Sequence, residues 1–300
     1  MLGFILAQLI GLYVVNFYVN NGNIIPYGFD QKDQIKDTQD FQTQFLVSLI
    51  IGFIVAVVFI FFLIKIKSKW LFKIWFFLVV ILALSITLNV FLTESKIANA
   101  SWIALFLGLI FAYFKIFKRN IIIHNLTELF IYPGIAAIFA SLLNIWTIFT
   151  LLILISIYDM WAVWKSKLML KMAKFQIDEI GVFGGFLIPY ADKKIKERIE
   201  MLKIKYKNKK IPENIIKKNK IKISAAMLGG GDIVFPMIAI SIFYNTFHSL
   251  LGALIVMFFA FLALAYLLFF TKKGKAYPAM PYLTIGIFFG MLVAWFVLGL

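Results

Sequence analysis

Nine apolar runs, each close to twenty residues long, divide this chain: roughly 2–19, 45–64, 71–92, 98–117, 121–142, 145–164, 222–244, 249–270 and 278–298. A helical run of about twenty residues matches the thickness of a bilayer's hydrocarbon core. Inside lipid a backbone can satisfy its own N–H and C=O groups only as a helix or a closed barrel. The chain is 63% hydrophobic and 15% charged, against about 25% charged in a soluble domain. The expected fold class is therefore all-α: a polytopic membrane protein with nine transmembrane helices. Three parts are expected: a six-span part over 1–164, a basic loop over 165–221, and a three-span part over 222–300. The first run has no basic residue before it and no clear small-residue cleavage site, so it reads as a retained span.

The net charge of +16 could suggest nucleic acid, but the placement of the charges argues otherwise. The connections after the second, fourth, sixth and eighth runs hold 27 of the 30 Lys and Arg residues, 17 of them between Lys165 and Lys222. The remaining connections hold only Lys32, Lys36 and Lys96, beside the acidic Asp30, Asp33, Asp37 and Asp40. Basic loops stay cytoplasmic, which puts the amino terminus inside and the carboxyl terminus outside. The Lys193–Lys222 cluster then faces anionic lipid. Within the long loop, 166–175 could extend the sixth helix along the membrane, and Gly181, Gly184, Gly185 and Pro189 break it. The stretch Ile195–Lys220 reads as an interfacial amphipathic piece. There is no cysteine, so neither a thiol nucleophile nor an iron–sulfur site is possible.

Two spans carry an aspartate. Asp232 lies in KISAAMLGGGDIVFPMIAISIFY, the seventh run, directly after Gly229, Gly230 and Gly231. Each glycine weakens a helix by about 1 kcal/mol relative to alanine. Pro236 cannot donate to the carbonyl of Asp232, which loosens the helix at the acid. Asp159, next to Tyr158, lies near the inner end of the sixth run. At about 1.5 Å per helical residue, Asp159 is about 7.5 Å and Asp232 about 15 Å from the inner ends of their spans, so the two can share a level. Ionisable groups at such depth are usually functional. With Lys115 assigned to the fourth connection, neither acid has a basic partner inside a span. Two facing carboxylates share a proton, so that one activates water while the other protonates a substrate. The ninth run opens with AYPAMPYLTIG, where Pro278 and Pro281 remove two backbone donors and favour extended backbone before them. The alternative is an ordinary helix start with proline in its first turn.

These stretches together resemble the presenilin and signal peptide peptidase family of intramembrane aspartyl proteases, including its archaeal homologues. Tyr158-Asp159 looks like the family's YD motif, Gly229-Gly230-Gly231-Asp232 matches GxGD, and Pro278-Ala279-Met280 looks like PAL with Met for Leu. The resemblance implies a presenilin-like fold and an endopeptidase that cleaves transmembrane helices. It implies Asp159 and Asp232 as the catalytic pair. Tyr158, Gly229, Gly230, Gly231, Pro278, Ala279, Met280 and Pro281 then shape the active site or touch substrate. The expected partners are transmembrane substrate proteins and the lipid bilayer, with a homo-oligomer allowed and no nucleic acid. Enrichment in Ile, Lys, Asn and Phe fits an AT-rich genome, and the expected location is a prokaryotic, archaeal plasma membrane. No cofactor or metal is expected: His124 and Glu128 share a helix face but lack the third ligand of an H-E-x-x-H site, and a His–Glu hydrogen bond fits them better. The same membrane aspartates also suit two other readings, a prepilin or preflagellin peptidase and a proton or cation channel or transporter.

Overall fold

A computed structural model describes residues 1–19, 22–28, 39–66, 69–118, 120–165, 183–190, 224–270 and 277–299. Among these residues, nine long helices stand where nine spans are expected. They are α1 (Leu2–Val19), α2 (Gln39–Ile66), α3 (Lys69–Glu94), α4 (Ala100–Phe117), α5 (Ile121–Leu142), α6 (Ile145–Met160), α7 (Gly231–Phe247), α8 (Leu250–Phe270) and α9 (Met280–Leu298). Among the described residues seven are long and apolar enough to cross a membrane, α6 together with the turn that continues it to Lys165. Large side chains such as Phe106, Phe258, Ile285 and Phe296 stay exposed, a surface that suits lipid. The readings made for 166–175, for Ile195–Lys220 and for the Lys193–Lys222 cluster lie outside the described residues.

Helix α7 is the hub, packing against α1, α5, α6, α8 and α9. It is apolar all round, as a helix buried on every side must be: Ile233, Met237, Ile238 and Ile240 are each at most 1% exposed. Gln8 of α1 donates to the Ile233 carbonyl at 2.9 Å, in the turn that Pro236 loosens. Pro133 lies inside α5. A Cβ on the following Gly134 would come within 2.0 Å of the Ala83 carbonyl oxygen, so only glycine lets α5 and α3 meet there. Helix α6 begins with a capping box in which Asn144 and Thr147 exchange hydrogen bonds of 2.9 Å, satisfying end groups that the helix itself cannot.

The seventh run departs from expectation. Only its later part is helix. Ser224–Gly229 form a strand, β2, which pairs antiparallel with β1 (Gly185–Tyr190) from the long loop, in the register Gly185↔Gly229 through Tyr190↔Ser224. Glycines at 229–231 make helix costly there, and an extended chain needs a partner for its backbone groups. Asp232 therefore lies in the first turn of α7, not about 15 Å along a helix. At 17 residues, α7 spans about 26 Å, short of the ~30 Å hydrocarbon core.

Candidate active site

Asp159 occupies the last turn of α6, immediately before a π-helical turn, Trp161–Lys165. Asp232 occupies the first turn of α7. Both side chains are buried, Asp159 at 8% and Asp232 at 9% exposure, and they stand close enough to interact electrostatically. Helices α6, α7 and α9 pack against one another pairwise, so the acids meet at a junction of three helix ends.

The ninth run supplies the third end. Tyr277, Pro278 and Ala279 precede the helix, which starts at Met280 with Pro281 in its first turn. The first four N–H groups of a helix have no partner within it. Here Met280 N–H donates to Asp159 Oδ2 at 3.0 Å, and Ala279 N–H is directed at the same carboxylate. A helix amino terminus favours a negative charge on both counts, free donors and dipole. Pro281 thus fits the plain helix-start reading, while Pro278 belongs to the non-helical lead-in. One turn of α6 earlier, the Ser156 and Thr284 hydroxyls bond at 2.8 Å and tie α6 to α9.

Around Asp232 the glycines have separate places. Gly229 ends β2, and its N–H reaches the Asp232 carboxylate. A Cβ there would stand 3.2 Å from Asp232 Oδ2. Gly230 N–H donates to the Gly184 carbonyl at 3.1 Å. Gly231 opens α7 and is exposed. Pro278, Ala279 and Met280 are buried, and Tyr158 and Pro281 are half-buried. Of the residues singled out from the sequence, Met280 and Ala279 present N–H groups to Asp159 and Gly229 presents one to Asp232.

Lys115 corrects the sequence reading. It lies inside α4, 5% exposed, and its Nζ contacts Glu128 Oε1 at 2.5 Å. His124 Nε2 is 3.6 Å from Glu128 Oε1, beyond hydrogen-bond reach. It bonds instead to the Gly185 carbonyl oxygen at 2.8 Å. The expected His–Glu hydrogen bond is thus replaced by a Lys–Glu pair, because α4 brings a cation that the spacing within α5 cannot reveal. Neither Gln8 nor Tyr132 is singled out by the sequence, and Gly185 reads there only as a helix breaker in the long loop. Gln8 as one of two amides in the first run, and an acid and a lysine in apolar runs, are the available signals.

The sequence profile of the family described as "Signal-peptide peptidase, presenilin aspartyl protease" matches residues 4–300. No curated protein matches the chain. Two solved structures of a presenilin family intramembrane aspartate protease resemble it. One, in space group C222, superposes with a TM-score of 0.62 at 17% identity over 99% of this chain and 97% of that one. The other, in space group P2, gives 0.59 at 17% identity over 99% and 96%. The fold is presenilin-like.

Proposed function

The chain belongs to the signal-peptide peptidase and presenilin aspartyl protease family, and from that premise we propose that Asp159 and Asp232 are the dyad with which it hydrolyses peptide bonds inside transmembrane helices of other proteins. Membership makes it an intramembrane aspartyl protease and a hydrolase, in place of an ion pathway. What supports the assignment to these two residues is that both are buried on adjoining helix ends, with the Met280 amide 3.0 Å from Asp159.

In this reading the pair holds one proton. The ionised carboxylate takes a proton from water as the water oxygen bonds to the substrate carbonyl carbon. The protonated carboxyl gives its proton to the carbonyl oxygen, forming a gem-diol. The first carboxyl then gives its new proton to the amide nitrogen while the second carboxylate takes a proton from a gem-diol hydroxyl; the C–N bond breaks, an amine and a carboxylic acid leave, and the pair is as it began. A helical substrate shields its peptide bonds, so it unwinds locally. Among the described residues the two-stranded β1–β2 sheet leaves β2 an edge with no strand beside it, whereas the outer edge of β1 is held at Gly185 by Glu128 and His124; the unwound segment adds to the β2 edge. Met280 takes no part in that pairing, because its N–H is already given to Asp159.

The basic connections place the active-site end of the bundle toward the cytoplasm. A reporter fused within 20–44 should read outside the cytoplasm; a cytoplasmic signal would reverse the orientation. The activity itself is tested with purified protein and a transmembrane peptide in detergent. Cleavage at discrete sites, lost in both Asp159→Asn and Asp232→Asn, is the expected result. Persistence in either variant would remove that residue from the dyad.

A further inference from the structure

We propose that Lys115, Glu128 and His124 act together as positioning residues, clamping the β1–β2 hairpin so that Asp232 is held where the reaction needs it. This rests on the reading of Asp232 as a catalytic acid.

The three side chains are buried, at 5%, 1% and 8% exposure respectively. Desolvating an ion pair is costly, and apolar residues of similar size often serve a core as well or better. Two contacts of this cluster converge on one backbone residue. Glu128 Oε1 takes Lys115 Nζ at 2.5 Å and the Gly185 N–H at 3.2 Å. His124 Nε2 lies 2.8 Å from the Gly185 carbonyl oxygen. A carbonyl only accepts, so Nε2 carries the proton and Nδ1 is free to accept from Lys115 Nζ at 3.3 Å. Glu128 and His124 thus engage both backbone groups of Gly185, as a neighbouring strand would.

The opposite side of Gly185 is equally constrained. Gly185 pairs in register with Gly229. A Cβ at Gly185 would stand 2.3 Å from the Leu228 carbonyl oxygen, so the two strands meet there as closely as glycine permits. The adjoining Gly184 carbonyl takes the Gly230 N–H at 3.1 Å. Tyr132 of α5 completes the seat: its ring meets Phe186 edge-on at 5.8 Å, and a Cβ on Gly230 would come 3.0 Å from its Cε1. From the clamped residue the path to Asp232 is therefore two backbone contacts, Gly185 to Gly229 and Gly184 to Gly230. The clamp fixes the hairpin to α4 and α5, and the hairpin fixes the start of α7.

Two double variants isolate the clamp from bulk stability. Lys115→Met with Glu128→Gln removes the charges but keeps an acceptor for the Gly185 N–H. Lys115→Met with Glu128→Met removes that acceptor too, and neither variant strands a buried charge. With a transmembrane peptide, the Gln variant should stay within about threefold of wild-type kcat, since a neutral acceptor replaces a charged one. The Met variant should lose about ten- to a hundredfold in kcat with KM nearly unchanged, as expected for misplaced reacting groups. Its melting temperature should fall only a few degrees below that of the Gln variant, the effect of one unpaired amide. Equal kcat in the two folded variants would overturn the proposal. If the Met variant does not fold, His124→Leu carries the test, because it frees the Gly185 carbonyl while leaving the Lys115–Glu128 pair intact. A folded His124→Leu protein with wild-type kcat would equally overturn it. Asp232→Asn, assayed alongside, separates the two ideas: activity in that variant defeats the dyad, whereas a dead Asp232→Asn with a fully active Met variant defeats only the clamp.

Discussion

Replacing Asp159 by Asn and by Ala should give two proteins that are equally inactive but unequally stable. The Asp159 carboxylate accepts the Met280 N–H at 3.0 Å and faces the Ala279 N–H as well. Asparagine keeps one oxygen for these donors. The exchange turns a hydrogen bond to a charged acceptor, worth about 1.5–3 kcal/mol, into a neutral one worth about 0.5–1.5 kcal/mol. The loss is therefore about 1 kcal/mol, and removing one of two facing acids works in the opposite direction. Alanine leaves both amides buried without an acceptor, at about 1–3 kcal/mol each, or about 2–6 kcal/mol together. Asp159→Asn should accordingly melt within a few degrees of wild type, and Asp159→Ala well below it. Turnover should fall about a thousandfold or more in both, because a lone acid cannot supply both proton transfers. Thermal unfolding in detergent and cleavage of a transmembrane peptide, measured on the same preparations, decide the matter. An Asn variant that cleaves at a tenth of the wild-type rate would refute the catalytic role. Equal melting of the Asn and Ala variants would refute the account of how Asp159 is held.

Three further outcomes follow from the same geometry. Pro278→Ala lets the helix of Met280–Leu298 extend backward and draw the Ala279 and Met280 amides into its own ladder, so kcat should fall about ten- to a hundredfold, the worth of a charge-assisted hydrogen bond; Pro281→Ala, in the first turn where proline's missing N–H matters little, should change kcat far less, and the reverse order would contradict the assignment. Gly229→Ala puts a methyl 3.2 Å from Asp232 Oδ2 and should lower kcat about tenfold with little change in melting temperature. The rate against pH should be bell-shaped, since a second proton removes the base as pH falls and loss of the shared proton removes the acid as pH rises; a profile with one limb would mean that a single group titrates.

The helices were legible because length and apolarity decide them, and the acids because a carboxylate in an apolar run is conspicuous. The hairpin was not. SAAMLG, residues 224–229, consists mostly of good helix formers, and a short apolar run cannot be told from helix by periodicity. Its partner, GFLIPY, begins 39 residues earlier and contains Pro189, a residue that argues against a strand unless the strand is an edge. Only the glycines at both Gly184–Gly185 and Gly229–Gly231 hinted at a place where backbones approach. Lys115 was misassigned for a related reason. A lysine near a helix end normally reaches outward to the interface, and what turns this one inward is Glu128, on another helix.

That pairing bears on why the acids can work. Burying two carboxylates in a membrane needs compensation, and a nearby lysine would supply it most directly. A lysine beside either acid would hold it ionised, and an acid held ionised has no proton to give a leaving amine. Among the described residues the buried lysine, Lys115, is paired with Glu128, which also contacts the backbone at Gly185. The acids are compensated by N–H groups instead: Met280 and Ala279 for Asp159, Gly229 for Asp232. Each donor comes from a place where helix has just begun or has not yet started, where amides are free by construction. Such donors stabilise a carboxylate without fixing its charge, since they remain in place whichever acid of the pair carries the proton. The glycines and Pro278 matter for that reason. They interrupt helix at the two points where a continuous ladder would have consumed the amides that the acids use.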